Sequence, residues 1–171
     1  MDPIKIAMIA AVSENGIIGR ESDMPWRLST DLKRFKAVTL GCPIISGRKT
    51  FQTFDKALPG RQNIVISRTS FEAEGITNCH SLSDAIALAK QTAAKDGKAE
   101  IFIVGGGQIY KEAMRHADRL YITHINEVIV GDTSFPNIDS EIWVPASEQS
   151  FPAGEKDNYS TRYVIYNRTN A

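Results

Sequence analysis

Cysteine, net charge and long apolar runs are what this sequence has least of, and each shortage removes a class of function. Only two cysteines occur, Cys42 and Cys79, without a CxxC or Cys/His spacing; neither a disulfide framework nor a zinc site is indicated, and both read as reduced packing residues. The longest early apolar run, Ile6 to Val12, falls far short of the roughly 20 residues that cross a bilayer and reads as a buried strand. Asp2 ahead of it and Ser13-Glu14-Asn15-Gly16 behind it do not compose a secretory signal, so a cytoplasmic address is expected. The 20 Lys and Arg balance 20 Asp and Glu, leaving no basic field to attract nucleic acid or anionic lipid. Small, weakly charged partners are favoured.

What is present describes an ordinary globule. Hydrophobic residues make up 42% and charged residues 23%, which excludes a disordered chain, and no repeat or low-complexity tract occurs. A chain of 171 residues is the size of one domain, and positions 1–171 are expected to form it. Runs rich in Ile and Val at Ile4 to Val12, Pro43 to Ser46, Asn63 to Ser67, Glu100 to Val104 and Leu120 to Ile125 predict strands of a buried sheet. Helical stripes lie between them: Leu28, Leu32 and Phe35; then Leu82, Ala85, Ile86 and Ala89 behind Ser81, with Gly97 beyond. This alternation predicts a largely parallel α/β sheet, with Ile142 to Val144 and Tyr163 to Tyr166 as an antiparallel edge because no helix separates them. Lys90 to Lys98 reads as an exposed excursion.

Asp31 is the most informative polar residue. It falls three positions after Leu28 and four before Phe35, so helical geometry sets its carboxylate beside an apolar stripe. Two readings stay open: a first-turn acid suited to the helix dipole, behind Ser29 as cap, or an acid at the mouth of an apolar cleft that pairs with a cyclic amidine or guanidine-like edge. Gly105-Gly106-Gly107 follows one strand and precedes a stripe of Ile109, Tyr110 and Ala113, where a phosphate could approach backbone N–H groups. Gly47-Arg48-Lys49-Thr50 repeats that arrangement with two cations and a hydroxyl. Ser67-Arg68 ends another strand and suits the extra phosphate that distinguishes NADPH from NADH. Together these junctions indicate a dinucleotide, since ligands of open sheets gather at strand C-termini. His80, His116 and His124 show no metal spacing, and no nucleophilic triad is recognisable.

These residues resemble the dihydrofolate reductase family from about Ile4 through Pro136. The marks are Ile18-Gly19, Met24-Pro25-Trp26, Asp31 with Leu32 and Phe35, Gly47-Arg48-Lys49-Thr50, Leu58-Pro59-Gly60-Arg61, Val104 to Gly107 with Tyr110, Tyr121-Ile122-Thr123-His124, and Gly131-Asp132-Thr133. The resemblance implies an eight-stranded mixed sheet flanked by helices, and NADPH-dependent reduction of 7,8-dihydrofolate to tetrahydrofolate. It implies that Asp31, supported by Thr123, binds the pterin's 2-amino group and adjacent ring nitrogen, while substrate N5 takes its proton through water. Leu32, Phe35, Phe54 and Leu58 would form apolar walls, with Ile9, Val104 and Tyr110 meeting the pterin and Arg61 pairing with the glutamate tail. Ala11, Ile18, Gly19, Gly47, Arg48, Lys49, Thr50, Ser67, Arg68, Gly105, Gly106, Gly107, Gln108 and Ile109 would hold the cofactor. Asn15 to Trp26 resembles the family's lid, where Met24 and Trp26 join Asp31 and Thr123 in the catalytic set and Asp132 helps to hold closure. A monomer open to antifolates such as trimethoprim or methotrexate is also implied, with no metal. Phe51, Phe54, Ser46 and Gln108 depart from residues common in bacterial members. A riboflavin-pathway pyrimidine reductase of the same fold and a non-enzymatic nucleotide-binding module are the alternatives; Asp31 and Arg61 favour the folate reading.

Overall fold

Strands with no polar alternation need apolar cover on both faces, and a computed structural model provides it; it describes residues 3–19, 26–54 and 56–169. The elements are β1 (Lys5–Ser13), β2 (Ile17–Gly19), α1 (Ser29–Thr39), β3 (Ile44–Gly47), α2 (Arg48–Gln52), β4 (Asn63–Ile66), β5 (Ile76–Cys79), α3 (Leu82–Lys95), β6 (Glu100–Gly105), α4 (Gly107–Ala113), β7 (Arg119–Ile125), β8 (Thr133–Ser134), β9 (Trp143–Phe151) and β10 (Thr161–Arg168). Eight strands form one sheet in the order β5-β4-β3-β6-β1-β7-β10-β9. From β5 to β7 all neighbours are parallel, whereas β10 runs antiparallel to both β7 and β9. β2 and β8 make a separate antiparallel ribbon.

Successive residues of each central strand face opposite apolar layers. Ile6, Met8, Ile101, Ile103, Leu120 and Ile122 belong to the layer that α3 and α4 cover with Leu82, Ala85, Ala89, Ala93, Tyr110 and Ala113. Ala7, Ile9, Phe102, Val104 and Tyr121 face the other layer, against which Phe35 and Val38 of α1 pack. Cys42 packs on this second layer and Cys79 on the first, both as free thiols.

Several expectations need correction. Lys90 to Lys98 is not an excursion, because α3 continues through Lys95 and buries Ala93 one turn beyond Ala89; the chain turns only at Gly97, with φ +68°. Ser29 does not cap α1. The cap position is Leu28, and the start of the helix is secured from a distance: Asp157 Oδ1 accepts from the Thr30 N–H at 3.0 Å, and Thr30 Oγ1 donates to Asp157 Oδ2 at 2.7 Å. β9 extends to Phe151, well past Val144, because its exposed polar residues pair through backbone and leave no apolar period to read. The short edge strand β5 was likewise without a signal. Among the described residues no helix is long and apolar enough to cross a membrane.

Candidate active site

Parallel strands all deliver their C-termini to one edge of the sheet, and Thr50, Ser67 and Thr123 lie at or just beyond those ends. In the β1/β7 register Ala11 pairs with Thr123, and the first turn of α1 brings Asp31 to the same point. Thr123 Oγ1 donates a short hydrogen bond to Asp31 Oδ1. Arg34, one turn along α1, places Nη1 3.4 Å from that oxygen and 3.4 Å from Thr123 Oγ1. The Asp31 side chain is 22% exposed. Burial raises its carboxyl above the usual carboxylate range; the Thr123 hydrogen bond and the Arg34 charge oppose the rise, and the Asp157 charge adds to it. Among the described residues nothing donates to Oδ2. One oxygen is therefore held by protein while the other can accept from a ligand's N–H edge.

Five of the seven apolar candidates lie in one layer of the sheet. Ile9 and Val104 are buried, and Phe35, Phe54 and Leu58 pack against them in the layer that α1 covers. Leu32 joins neither apolar cluster and is 48% exposed, although helical spacing sets it on the face of Phe35. Tyr110 lies in the opposite layer, 5.0 Å from the Phe135 ring, and only its hydroxyl reaches this region, donating to the Ile9 carbonyl at 2.6 Å. Desolvation drives that hydroxyl's pKa upward, so it remains a donor. Toward the far end of α1, Arg61 Nη2 donates to the Lys36 carbonyl at 3.0 Å, while its buried Nε has no partner among the described residues. Lys36 is five residues, about 7.5 Å of helix, beyond Asp31. Along α1 the order is thus acid, apolar wall, guanidinium.

The glycine junctions converge as well. Gly47 and Gly106 are the cap positions of α2 and α4, and neither helix start receives a side-chain cap, in contrast to α3, where Ser81 accepts from the Asp84 N–H at 3.1 Å. A Cβ on Gly47 would lie 3.4 Å from Ile109 Cγ1 and 3.9 Å from the Gly106 nitrogen; one on Gly106 would stand 2.7 Å from Thr50 Oγ1. A Cβ on Gly107 would meet Thr133 Cγ2 at 2.5 Å and Ile18 Cδ1 at 4.0 Å, which sets the β2/β8 ribbon against the same junction. Two adjacent helix starts with uncapped N–H groups fit an extended polyphosphate. Ser67 follows β4 on the next strand, with its N–H bonded to the Cys79 carbonyl at 2.9 Å. Arg48 stacks over the Phe71 ring at 4.8 Å, and Phe51 meets that ring edge-on at 6.0 Å. Lys49, Arg68 and Gln108 are exposed. Gln108 lines an open cavity with Lys111, Trp143 and Arg168, apart from the Asp31 cluster.

The segment from Asn15 to Trp26 is described only at its ends. Asn15 Nδ2 donates to the Ile129 carbonyl at 2.8 Å and Asn15 Oδ1 accepts from the Ile129 N–H at 3.0 Å, while the Gly19 carbonyl accepts from the Asp132 N–H at 3.0 Å. Trp26 is half-buried; Met24 lies outside the described residues. Sequence reading missed Arg34, Asp157 and the pairing of Asn15 with Ile129. Arg34 had a signal in its spacing of three from Asp31 on one helix. The other two act across more than a hundred residues and had none.

A family model described as dihydrofolate reductase matches residues 5–168, which extends the likeness through both C-terminal strands. The chain is 42% identical over 164 residues to dihydrofolate reductase type 3 of Salmonella typhimurium, covering 95% of this chain and 98% of that one. It is 37% identical over 167 residues to the dihydrofolate reductase of Bacillus subtilis, covering 97% and 96%. A solved structure of dihydrofolate reductase from Enterococcus faecalis, complexed with NADP(H) and RAB-propyl, superposes with a TM-score of 0.87 at 34% identity over 97% of both chains. The sheet order, the acid beside Thr123 and this match along nearly the whole length lead to one conclusion: the chain belongs to the dihydrofolate reductase family.

Proposed function

We propose that this chain catalyses the NADPH-dependent reduction of 7,8-dihydrofolate to 5,6,7,8-tetrahydrofolate, as a monomer in the cytoplasm. The observation that carries the reading is Asp31, a sheltered carboxylate with Oδ1 held by Thr123 and Oδ2 open to a ligand. An acid so placed recognises the pterin's 2-amino group and neighbouring ring nitrogen through paired hydrogen bonds, which fix the plane of the heterocycle as well as its position. Phe35, Phe54, Leu58, Ile9 and Val104 supply the dry walls, and Leu32 closes the mouth of the cleft. Arg61, whose Nε has no partner among the described residues, pairs with the carboxylate of the glutamate tail. The same acid and walls suit diaminopyrimidine and diaminopteridine antifolates, of which trimethoprim and methotrexate are examples.

NADPH, when bound, supplies the hydride. The chain's part is to bind and orient it: Gly47, Thr50, Gly105, Gly106 and Gly107 bring backbone N–H groups to its phosphates, with Gln108 and Ile109 in the first turn of α4. Arg48, Lys49, Ser67 and Arg68 flank its extra phosphate, while Ala11, Ile18 and Gly19 border the nicotinamide end. Met24 and Trp26 belong to the lid that excludes water. No covalent nucleophile is needed.

The test is loss of reduced-nicotinamide absorbance with dihydrofolate, with the riboflavin-pathway pyrimidine and with no substrate. Consumption of NADPH only with dihydrofolate is the expected result. Turnover of the pyrimidine alone, or of neither, would overturn the reading.

A further inference from the structure

We infer that Arg34 is a positioning residue for the reaction, a cation seated against two aromatic rings that holds the Asp31 carboxyl in place and keeps Oδ2 turned to the ligand. Its guanidinium carbon lies 4.5 Å from the centroid of Phe151 and 4.3 Å from that of Tyr163. Both distances are within the range in which a ring face attracts a cation. Phe151 ends β9 and Tyr163 stands on β10 opposite Thr123, so the antiparallel edge of the sheet reaches across to hold a side chain of α1. The Arg34 side chain is 17% exposed. From this seat a single atom, Nη1, touches both Asp31 Oδ1 and Thr123 Oγ1.

That geometry differs from an ordinary surface ion pair. A 3.4 Å contact is too long to be a strong bond, and an unseated i, i+3 pair in water contributes little. Here the two rings fix the guanidinium's plane and shield it, which preserves its field at a carboxylate already pushed upward by burial. Arginine suits the seat because a planar guanidinium stacks on aromatic faces. Both protein contacts fall on Oδ1, so the cation orients the carboxylate without occupying the oxygen that recognises substrate. The other titratable groups around Asp31 are Tyr163 on β10, Tyr110 on α4 and Asp157 between β9 and β10. Both tyrosines are held protonated by burial, and Asp157 disfavours the charge on Asp31. Among the described residues that surround Asp31, Arg34 is therefore the cation that opposes desolvation.

This role deepens the folate reading and, where it concerns turnover, rests on it. The test reads the carboxyl directly: carboxyl-carbon NMR titration of the ligand-free protein, with the Asp31 signal assigned by its loss in Asp31→Asn. Arg34→Met keeps the apolar stem without the charge and should raise the Asp31 midpoint by about one pH unit. The acid limb of kcat/KM for dihydrofolate should move upward with it, while the KM for NADPH stays put. Arg34→Lys, which keeps the charge, should recover most of the shift. An unchanged midpoint in Arg34→Met, or equal shifts in the Met and Lys variants, would overturn the role and leave Arg34 a packing residue. Should Arg34→Met fail to fold, Phe151→Leu loosens the seat and should give a smaller upward shift; no shift would be equally damaging. A wild-type protein that turns over no dihydrofolate removes the folate reading, yet the titration still decides Arg34.

Discussion

At the scale of the residue, Asp31 sets function against stability. A carboxylate kept from water is disfavoured relative to its unfolded state, and Thr123 and Arg34 offset only part of that cost, so the folded carboxyl titrates above its unfolded value. The folded protein then binds the extra proton more readily, which means this group's contribution is fully present below the unfolded pKa and is lost as pH rises through the folded one. Asp31→Asn should therefore raise the thermal midpoint at neutral pH, with the gain shrinking as pH falls toward 4; thermal scans across that range check it. A midpoint lowered equally at every pH would show instead that the carboxylate is a net structural support. Asp31 was legible from its spacing beside Leu28 and Phe35, because a charge next to an apolar stripe is a local anomaly. The hydroxyl of Tyr110 on the Ile9 carbonyl was not, since the two are 101 positions apart and a tyrosine in an apolar stripe reads as core.

At the scale of the element, α1 carries Asp31 but does not secure its own start. Leu28 cannot cap, and Asp157 does so from the far side of the chain, with its carboxyl held below the usual range by hydrogen bonds from Thr30. Asp157→Ala should cost about 1 kcal/mol, the usual loss for a helix cap. Because Asp31 sits in the uncapped turn, the KM for dihydrofolate should rise while the KM for NADPH is preserved; denaturant melts and steady-state kinetics measure the two effects. An undiminished stability would show that solvent satisfies the first turn. Ser29 was the natural guess for this cap, and it failed because a tertiary partner overrode a local one.

The pairing of β7 with β10 carries a second pH dependence. His124 lies opposite Arg162 in the register and within 2.8 Å of the Tyr166 hydroxyl. Burial and the Arg162 charge push its imidazole down to about 4, against a smaller opposing effect of Glu148. With a folded pKa below the unfolded value of about 6.5, its contribution is present above that value and is lost as pH falls toward about 4. Urea midpoints should decline over this interval, and His124→Gln should flatten the decline. Slopes that match in the two proteins would assign the acid sensitivity elsewhere.

At the scale of the whole molecule, the sheet makes the site by direction alone. Parallel strands β4, β3, β6, β1 and β7 end on one edge, so Ser67, Gly47, Gly105, Ala11 and Thr123 come together although they span more than half of the chain. The buried strands and both glycine junctions were legible because apolar runs and strand-to-helix glycines are local signals. The exposed edges β5 and β9 and the ribbon of β2 with β8 were not, because their pairing is carried by backbone and their side chains follow no period. The same limit hid Arg34, whose spacing was readable but whose aromatic seat comes from β9 and β10.

The most direct measurement is the kcat/KM of Asp31→Asn for dihydrofolate beside its KM for NADPH, over a range of pH. Loss of a charged hydrogen-bonding anchor predicts a fall of about 100-fold in kcat/KM with little change for the cofactor. Near-normal turnover of dihydrofolate by a folded Asp31→Asn protein would contradict the account.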